Sequence, residues 1–191
     1  MRDNQIIKIG KQTLLTESNA IKSLAEHLGD SFEKAVKLIL KTEGKIIISG
    51  IGKSGIIAAK IAASFTSTGK QSLFLNPVDA SHGDLGVISK SDLLIILSNS
   101  GETHELNDLI NFAKKMNNKI ISITSNKNSL LAKSSDIKLT LPAHKEADIL
   151  NIIPTTSTTL SLALGDALCC TVLSLRTVSY THLTLPTKRI V

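Results

Sequence analysis

The chain has 191 residues, 42% of them hydrophobic, 20% charged and 3% aromatic, which supports one buried core and excludes a disordered or fibrous protein. Its net charge of +6 suits an anionic partner, yet the lysines are scattered, and one Tyr, four Phe and no Trp offer few platforms for stacking bases, so nucleic acid is not expected. No membrane span is expected either, because the most apolar stretch, 160–175, carries Asp166 and several hydroxyls and falls short of roughly 18 uninterrupted apolar residues.

The opening Met1-Arg2-Asp3-Asn4-Gln5 has no basic head leading into an apolar block, so no secretory leader is expected. Ile7, Leu14, Ile21, Leu24 and Leu28 then fall near one helical stripe, with Gly29 as a stop. Asp30-Ser31 is expected to cap a second helix carrying Phe32, Val36, Ile39 and Leu40. After Gly44 the pattern changes to short continuous apolar runs of the kind that fill strands buried on both faces. These are 45–49, 72–75, 93–97 and 120–123, with a weaker one at 137–139. Helical stretches at 55–67, 105–116 and 129–134 separate them, and 156–175 reads as a final buried helix. Strands alternating with helices predict a three-layer α/β sandwich with a five-stranded parallel sheet. The chain divides into a helical N-terminal extension (1–43), the α/β core (44–175) and a tail (176–191). Adjacent Cys169 and Cys170 cannot easily pair with each other and read as reduced core residues of a cytoplasmic protein.

In open parallel sheets ligands sit beyond the carboxyl ends of the strands, so the loops after each apolar run are where chemistry is expected. The first, Gly50-Ile51-Gly52-Lys53-Ser54-Gly55, fits G-x-G-x-x-G, but Leu75-Asn76-Pro77 stands where the acidic partner of a dinucleotide site belongs. A phosphate-binding Walker loop would need its first glycine at Ile47, inside a strand. What remains is a set of helix-start amides beside Lys53, a generic anion site. The stronger signal is Ser98-Asn99-Ser100-Gly101-Glu102-Thr103, where three hydroxyls, a glycine and helix amides predict a metal-free phosphate cradle. An ordinary helix cap would need one hydroxyl. Ser81-His82-Gly83-Asp84-Leu85-Gly86 sets a His in a glycine-containing turn, and Lys145-Glu146-Ala147-Asp148 follows the fifth run. Pro154-Thr155-Thr156-Ser157-Thr158-Thr159 opens the last helix with a second hydroxyl-rich start.

In this order G-I-G-K-S-G, S-T-G at 67–69, H-G-D-L-G, S-N-S-G-E-T, K-E-A-D and P-T-T-S-T-T resemble the sugar isomerase (SIS) domain, and more narrowly its arabinose 5-phosphate isomerase branch. The resemblance implies a flavodoxin-like or Rossmann-like SIS fold and interconversion of D-ribulose 5-phosphate and D-arabinose 5-phosphate through an enediol, feeding synthesis of the octulosonate sugar of lipopolysaccharide. It implies catalytic roles for Lys53, Glu105 and Glu146. Substrate contacts are implied for Ser54, Gly69, Lys70, His82, Ser98, Ser100, Gly101, Thr103, Ala143 and His144. The residue types suit the chemistry: a carboxylate can carry a proton between neighbouring carbons while a lysine polarises the carbonyl. No metal or redox cofactor is implied, and a homodimer or homotetramer with sites at subunit boundaries is expected. The apolar first helix gives the same expectation, since one small sheet domain cannot easily cover it.

Two departures qualify the resemblance. Asn76 stands where some members carry a metal-binding histidine, so an inhibitory zinc contact is not expected there. The tail has no counterpart of the family's His-Pro-Gly-Gly segment, and the role of that histidine does not pass to His182, which is followed by Leu. The Thr-rich run after Leu175 is expected to be foreign to a truncated domain, or else a divergent edge strand, and the paired CBS modules of many relatives are missing. The alternative to a catalyst of this reaction is a non-catalytic phosphosugar sensor or an isomerase of another sugar phosphate. Glu105 and Glu146 together favour the enzyme. A nucleotide-binding domain, resting on the glycine loop alone, is weakest.

Overall fold

The computed structural model describes residues 2–176; the expectations for 177–191, His182 included, lie outside the described residues. Two helices open the chain, α1 (Arg2–Glu26) and α2 (Asp30–Lys41), followed by strand β1 (Ile46–Ser49) and helix α3 (Gly52–Ser67). Strand β2 (Ser72–Leu75) leads into α4 (Pro77–Ser81) and a 3-10 turn at Asp84–Val87. Strand β3 (Leu93–Leu97), a 3-10 turn at His104–Leu106 and α5 (Asn107–Met116) come next. Then follow β4 (Lys119–Thr124), α6 (Leu130–Ser134), β5 (Ile137–Thr140) and α7 (Thr156–Leu175).

The strands form one parallel sheet in the order β2-β1-β3-β4-β5. Burial on both faces explains the apolar runs: every residue of β1 and β3 is buried. One face carries α1, α2, α3 and α7 over Ile46, Ile48, Leu93, Ile95, Ile121 and Ile123. The other packs Ile47, Leu94, Ile96 and Ile120 against α4, α5 and α6. The expected three-layer α/β architecture is therefore the observed one.

Local chemistry sets the boundaries. Asp30 is the first residue of α2 rather than its cap; Gly29 takes the cap position with no side-chain hydrogen bond. Ser129 caps α6 by accepting from the Ala132 amide at 3.2 Å. Helix α3 begins at Gly52, three residues earlier than the periodicity predicts, because Gly52 holds φ +58° at the turn out of β1. The H-G-D-L-G motif follows directly on α4, with His82 as its C-cap, and runs into the 3-10 turn. Asn76 is the cap of α4, its Oδ1 accepting from Val78 N at 3.0 Å. Of the two cysteines only Cys169 is core; Cys170 is exposed, because neighbouring helical residues point about 100° apart. Helix α7, 20 residues with mean hydropathy 1.6, is long and apolar enough by length and composition to cross a membrane, contrary to the sequence reading. Here it is the central helix of its face, burying Leu160, Leu164, Leu168 and Val172 against α1, α2 and α3.

Candidate functional site

The strand order fixes where a site can form. From β1 the chain winds outward to β2, then returns to place β3 on the other side of β1. The loops after β1 and β3 thus diverge over a crevice at the carboxyl edge of the sheet. A cleft of about 380 Å³ opens there. It is lined by Ile51, Lys53 and Ser54 from the β1–α3 turn, by Asn99 after β3, by Glu146 and the 151–154 segment, and by Ser157, Thr158 and Ser161 of α7.

Glu146 is fixed by the start of α7. Its Oε2 accepts from Thr155 N at 2.9 Å, Thr155 Oγ1 at 3.1 Å and Ser157 N at 3.1 Å, while its own amide donates to Asn151 Oδ1 at 2.7 Å. A carboxylate at a helix N-terminus also meets the positive end of the helix dipole. Partial burial pushes the Glu146 carboxyl up, but the hydrogen bonds from Ser157 and Thr155 outweigh it and hold the group below the usual carboxylate range. Asp148 ties the rest of the loop, accepting from the amides of Leu150, Ile152 and Ile153 at 3.0–3.1 Å. Asn151 bends it with φ +54°, a conformation Asn tolerates better than most residues. The hydroxyl-rich start of α7 therefore caps and anchors: Thr155 Oγ1 also accepts from Ala147 N at 2.8 Å.

The loop after β3 is folded on itself. Ser98, buried, shares a 2.7 Å hydrogen bond with Thr103 through their hydroxyls and accepts from Gly101 N at 3.0 Å. Ser100 Oγ accepts from Glu102 N at 3.2 Å, and Glu102 Oε1 accepts from Leu130 N at 3.1 Å, tying the loop to α6. Gly101 (φ +70°) is needed for a different approach from the one expected: a Cβ there would collide with Ser129 and with Thr124 Oγ1, so the missing side chain admits the protein's own α6 cap.

The expected site residues fall into separate groups. Lys53, Ser54 and Glu146 meet in the cleft, and the loop bearing Ser98, Ser100, Gly101 and Thr103 adjoins it through Asn99. His82, at the end of α4, and Glu105, in the 3-10 turn that packs against α4, are both exposed on the opposite face of the sheet and do not line the cleft. Ala143 lines another cavity of about 370 Å³ with Leu24, Phe32 and Leu139, and half-buried His144 contacts Pro142 O through Nδ1 at 2.9 Å. Gly69 and Lys70 precede β2 and so stand at the amino end of the sheet, opposite Lys53. Lys70 donates to Thr42 O; burial and then the Arg176 guanidinium lower its ammonium below the ordinary lysine range. Asn151 and Ser161 had no place in the sequence reading of the site, and Asn99 and Ser157 entered it only as members of longer motifs. Their signal is a hydrogen-bonding type beside a motif residue, which sequence alone does not separate from ordinary loop chemistry.

Residues 39–170 match the SIS domain family model. The chain is 43% identical over 170 residues to the arabinose 5-phosphate isomerase KdsD of Pseudomonas aeruginosa, covering 89% of this chain and 52% of that protein. It is 45% identical over 167 residues to the arabinose 5-phosphate isomerase KpsF of Escherichia coli O6:H1 strain CFT073, covering 87% of this chain and 51% of that one. The chain spans about half the length of the curated relatives it matches. Among solved structures, E. coli CFT073 c3406 in complex with arabinose 5-phosphate superposes with a TM-score of 0.91 at 37% identity, covering 95% of this chain and 96% of that one.

Proposed function

The chain belongs to the SIS domain family, and from that premise we propose that it is an aldose–ketose isomerase interconverting D-ribulose 5-phosphate and D-arabinose 5-phosphate. The observation that carries this reading is the meeting of a lysine, a carboxylate held ionised and two helix N-termini in one cleft at the switch point of the sheet. Two relatives above 40% identity bear that activity in their names, and c3406 was solved with arabinose 5-phosphate.

The reaction takes a proton from C1 of the ketose and returns it to C2, while the C1 hydroxyl gives up its proton and O2 gains one. No electron leaves the sugar, so no redox cofactor is called for. Lys53, at the amino end of α3, stabilises the charge that develops on the carbonyl oxygen. Glu146 keeps Oε2 in the α7 cap and has Oε1 for the substrate, and Glu105 is the second candidate for the proton. Ser98, Ser100, Gly101 and Thr103 are the phosphate loop, remote from the reacting carbons, with Ser54, His82, Ala143 and His144 as further substrate contacts. The protein works in the cytoplasm, with both thiols free, as a homodimer or homotetramer.

A coupled assay with ribulose 5-phosphate tests the reading. The wild-type chain should turn over and K53A should lose about 10²–10³-fold in kcat. At least one of E105Q and E146Q should lose about 10²–10⁴-fold. Wild-type rates in both would remove the carboxylate shuttle. Binding of the sugar phosphate without turnover would make the protein a sensor.

A further inference from the structure

We infer that Asp148 and Asn151 are positioning residues of this site: Asp148 locks the loop between β5 and α7 from outside the cleft, and through Asn151 it holds Glu146 on the start of α7. The inference rests on the isomerase reading of Glu146 and adds to it two residues that exchange no proton with the substrate.

Apolar burial does not set the path of this loop. Ile149, Leu150, Ile152 and Ile153 are each more than half exposed, so their side chains anchor nothing. Hydrogen bonds take that part. The Asp148 carboxylate accepts from the amides of Leu150, Ile152 and Ile153 at 3.0–3.1 Å, and the Asp148 carbonyl accepts from Asn151 N at 3.1 Å. Four successive amides are thereby gathered on one residue. The Ile152 amide reaches both carboxylate oxygens and does most to hold the Asp148 carboxyl below its usual range. Inside this ring Asn151 takes the left-handed conformation at φ +54°, and its Oδ1 accepts from the Glu146 amide at 2.7 Å.

Glu146 is therefore held at both ends. Its main chain is tied to the Asp148 ring through Asn151, and its Oε2 is tied to α7 through Thr155 N, Thr155 Oγ1 and Ser157 N. Releasing the first tie leaves the carboxylate on a loop with no apolar anchor, and the entropy of that loop then opposes the second. The hydrogen bonds from α7 are what keep Glu146 below the usual carboxylate range against partial burial, so a loosened loop changes its ionisation as well as its place. The charged neighbours are few. Lys145 and Asp148 share its loop, Lys8 of α1 borders the adjoining Ala147, and Lys53 is the other charged group among the described residues lining the cleft. Asp148 does not line the cleft, so it acts through the residues that do.

The test compares D148A, D148N, N151A and N151G in the full chain. NMR of protein carrying carbon-labelled glutamate follows the Glu146 carboxyl, whose signal is the one missing from E146Q. The wild-type group should titrate below about 4.3, and D148A and N151A should bring it up to that value or above. Losing the Asp148 charge alone would move Glu146 the other way, so a rise reports lost geometry. In steady-state kinetics with ribulose 5-phosphate near neutral pH, both variants should lower kcat about 10–10²-fold while KM moves less than about threefold. D148N, which keeps Oδ1 for the amides of Ile152 and Ile153, should recover most of the loss. N151G, which keeps the left-handed turn without the acceptor, should be as slow as N151A. In the E146Q background D148A should cost nothing further. A wild-type titration and kcat in D148A and N151A overturn the inference, as does a D148A loss that persists in E146Q, and either result leaves the isomerase reading standing. If the wild-type chain turns over no ribulose 5-phosphate, the isomerase reading falls and the Glu146 titration alone decides the positioning.

Discussion

The Glu146 carboxylate shows how one side chain can serve fold and site at once. Three hydrogen bonds to Oε2 stabilise its charged form more than partial burial opposes it, so its folded pKa lies below its unfolded one. The sign of the pH dependence follows. A group with a depressed folded pKa contributes stability that is fully present above its unfolded value, about 4.3, and lost as pH falls through the lower folded value. The glutamine of E146Q keeps an acceptor oxygen but titrates nowhere. E146Q should therefore melt below the wild type near about pH 7, and the gap should close as pH drops below about 4. Thermal melts of both proteins across that range check it, and parallel curves would show that the α7 cap does not depend on charge. The same hydrogen bonds explain what the sequence could and could not reveal. Lys53 and Glu146 stood out because each sits in a motif. Asn151 did not, since its meaning lies in the hydrogen bond its Oδ1 accepts from the Glu146 amide, which only the folded loop shows.

At the scale of elements, legibility followed burial. Strands covered on both faces need continuous apolar runs, so β1, β3 and β4 could be read from those runs, and the half-buried edge strand β2 from its Leu73-Phe74-Leu75. Helix α4 escaped notice because five residues give no helical period, and its cap, Asn76, precedes a proline that reads equally well as a turn. Nor could the sequence show which helices touch. Gly165 of α7 packs on Ile61 of α3, and a Cβ at that position would overlap Ile61 Cγ1 and Cδ1. Alanine at 165 gains about 1 kcal/mol of helix propensity. Against this, Ile61 is fully buried and its β-branched side chain has no easy alternative rotamer, so overpacking of about 1–3 kcal/mol should win. G165A should thus lower the urea midpoint, and I61V, which removes Cδ1, should restore much of the loss in the double variant. A midpoint at or above wild type in G165A would mean that α3 and α7 can slide apart freely.

The whole molecule has a surface that one copy leaves uncovered. Helix α1 runs 25 residues, but its buried or core-packed apolar residues, Ala20 and Leu24, lie in its last two turns. Upstream, Ile6, Ile7, Ile9, Leu14 and Leu15 are each more than half exposed. A row of this size is unusual on a monomer and suits a self-complementary contact. The same contact would resolve the placement of Lys70. It stands at the amino end of β2, away from Lys53 of its own subunit, so any part it takes in binding substrate requires a neighbouring copy. Sedimentation should therefore give a mass two or four times 20.4 kDa. The I7E/L14E variant should shift that mass toward the monomer with its helical content retained. A sharper test mixes K53A and K70A, each expected to be nearly inactive. If every site takes Lys53 from one subunit and Lys70 from the next, random reassortment into dimers leaves half of them mixed, each with one intact site. The mixture should then recover about one quarter of wild-type activity. A mixture no more active than its parts would place both lysines in one subunit's site, or leave Lys70 outside it altogether.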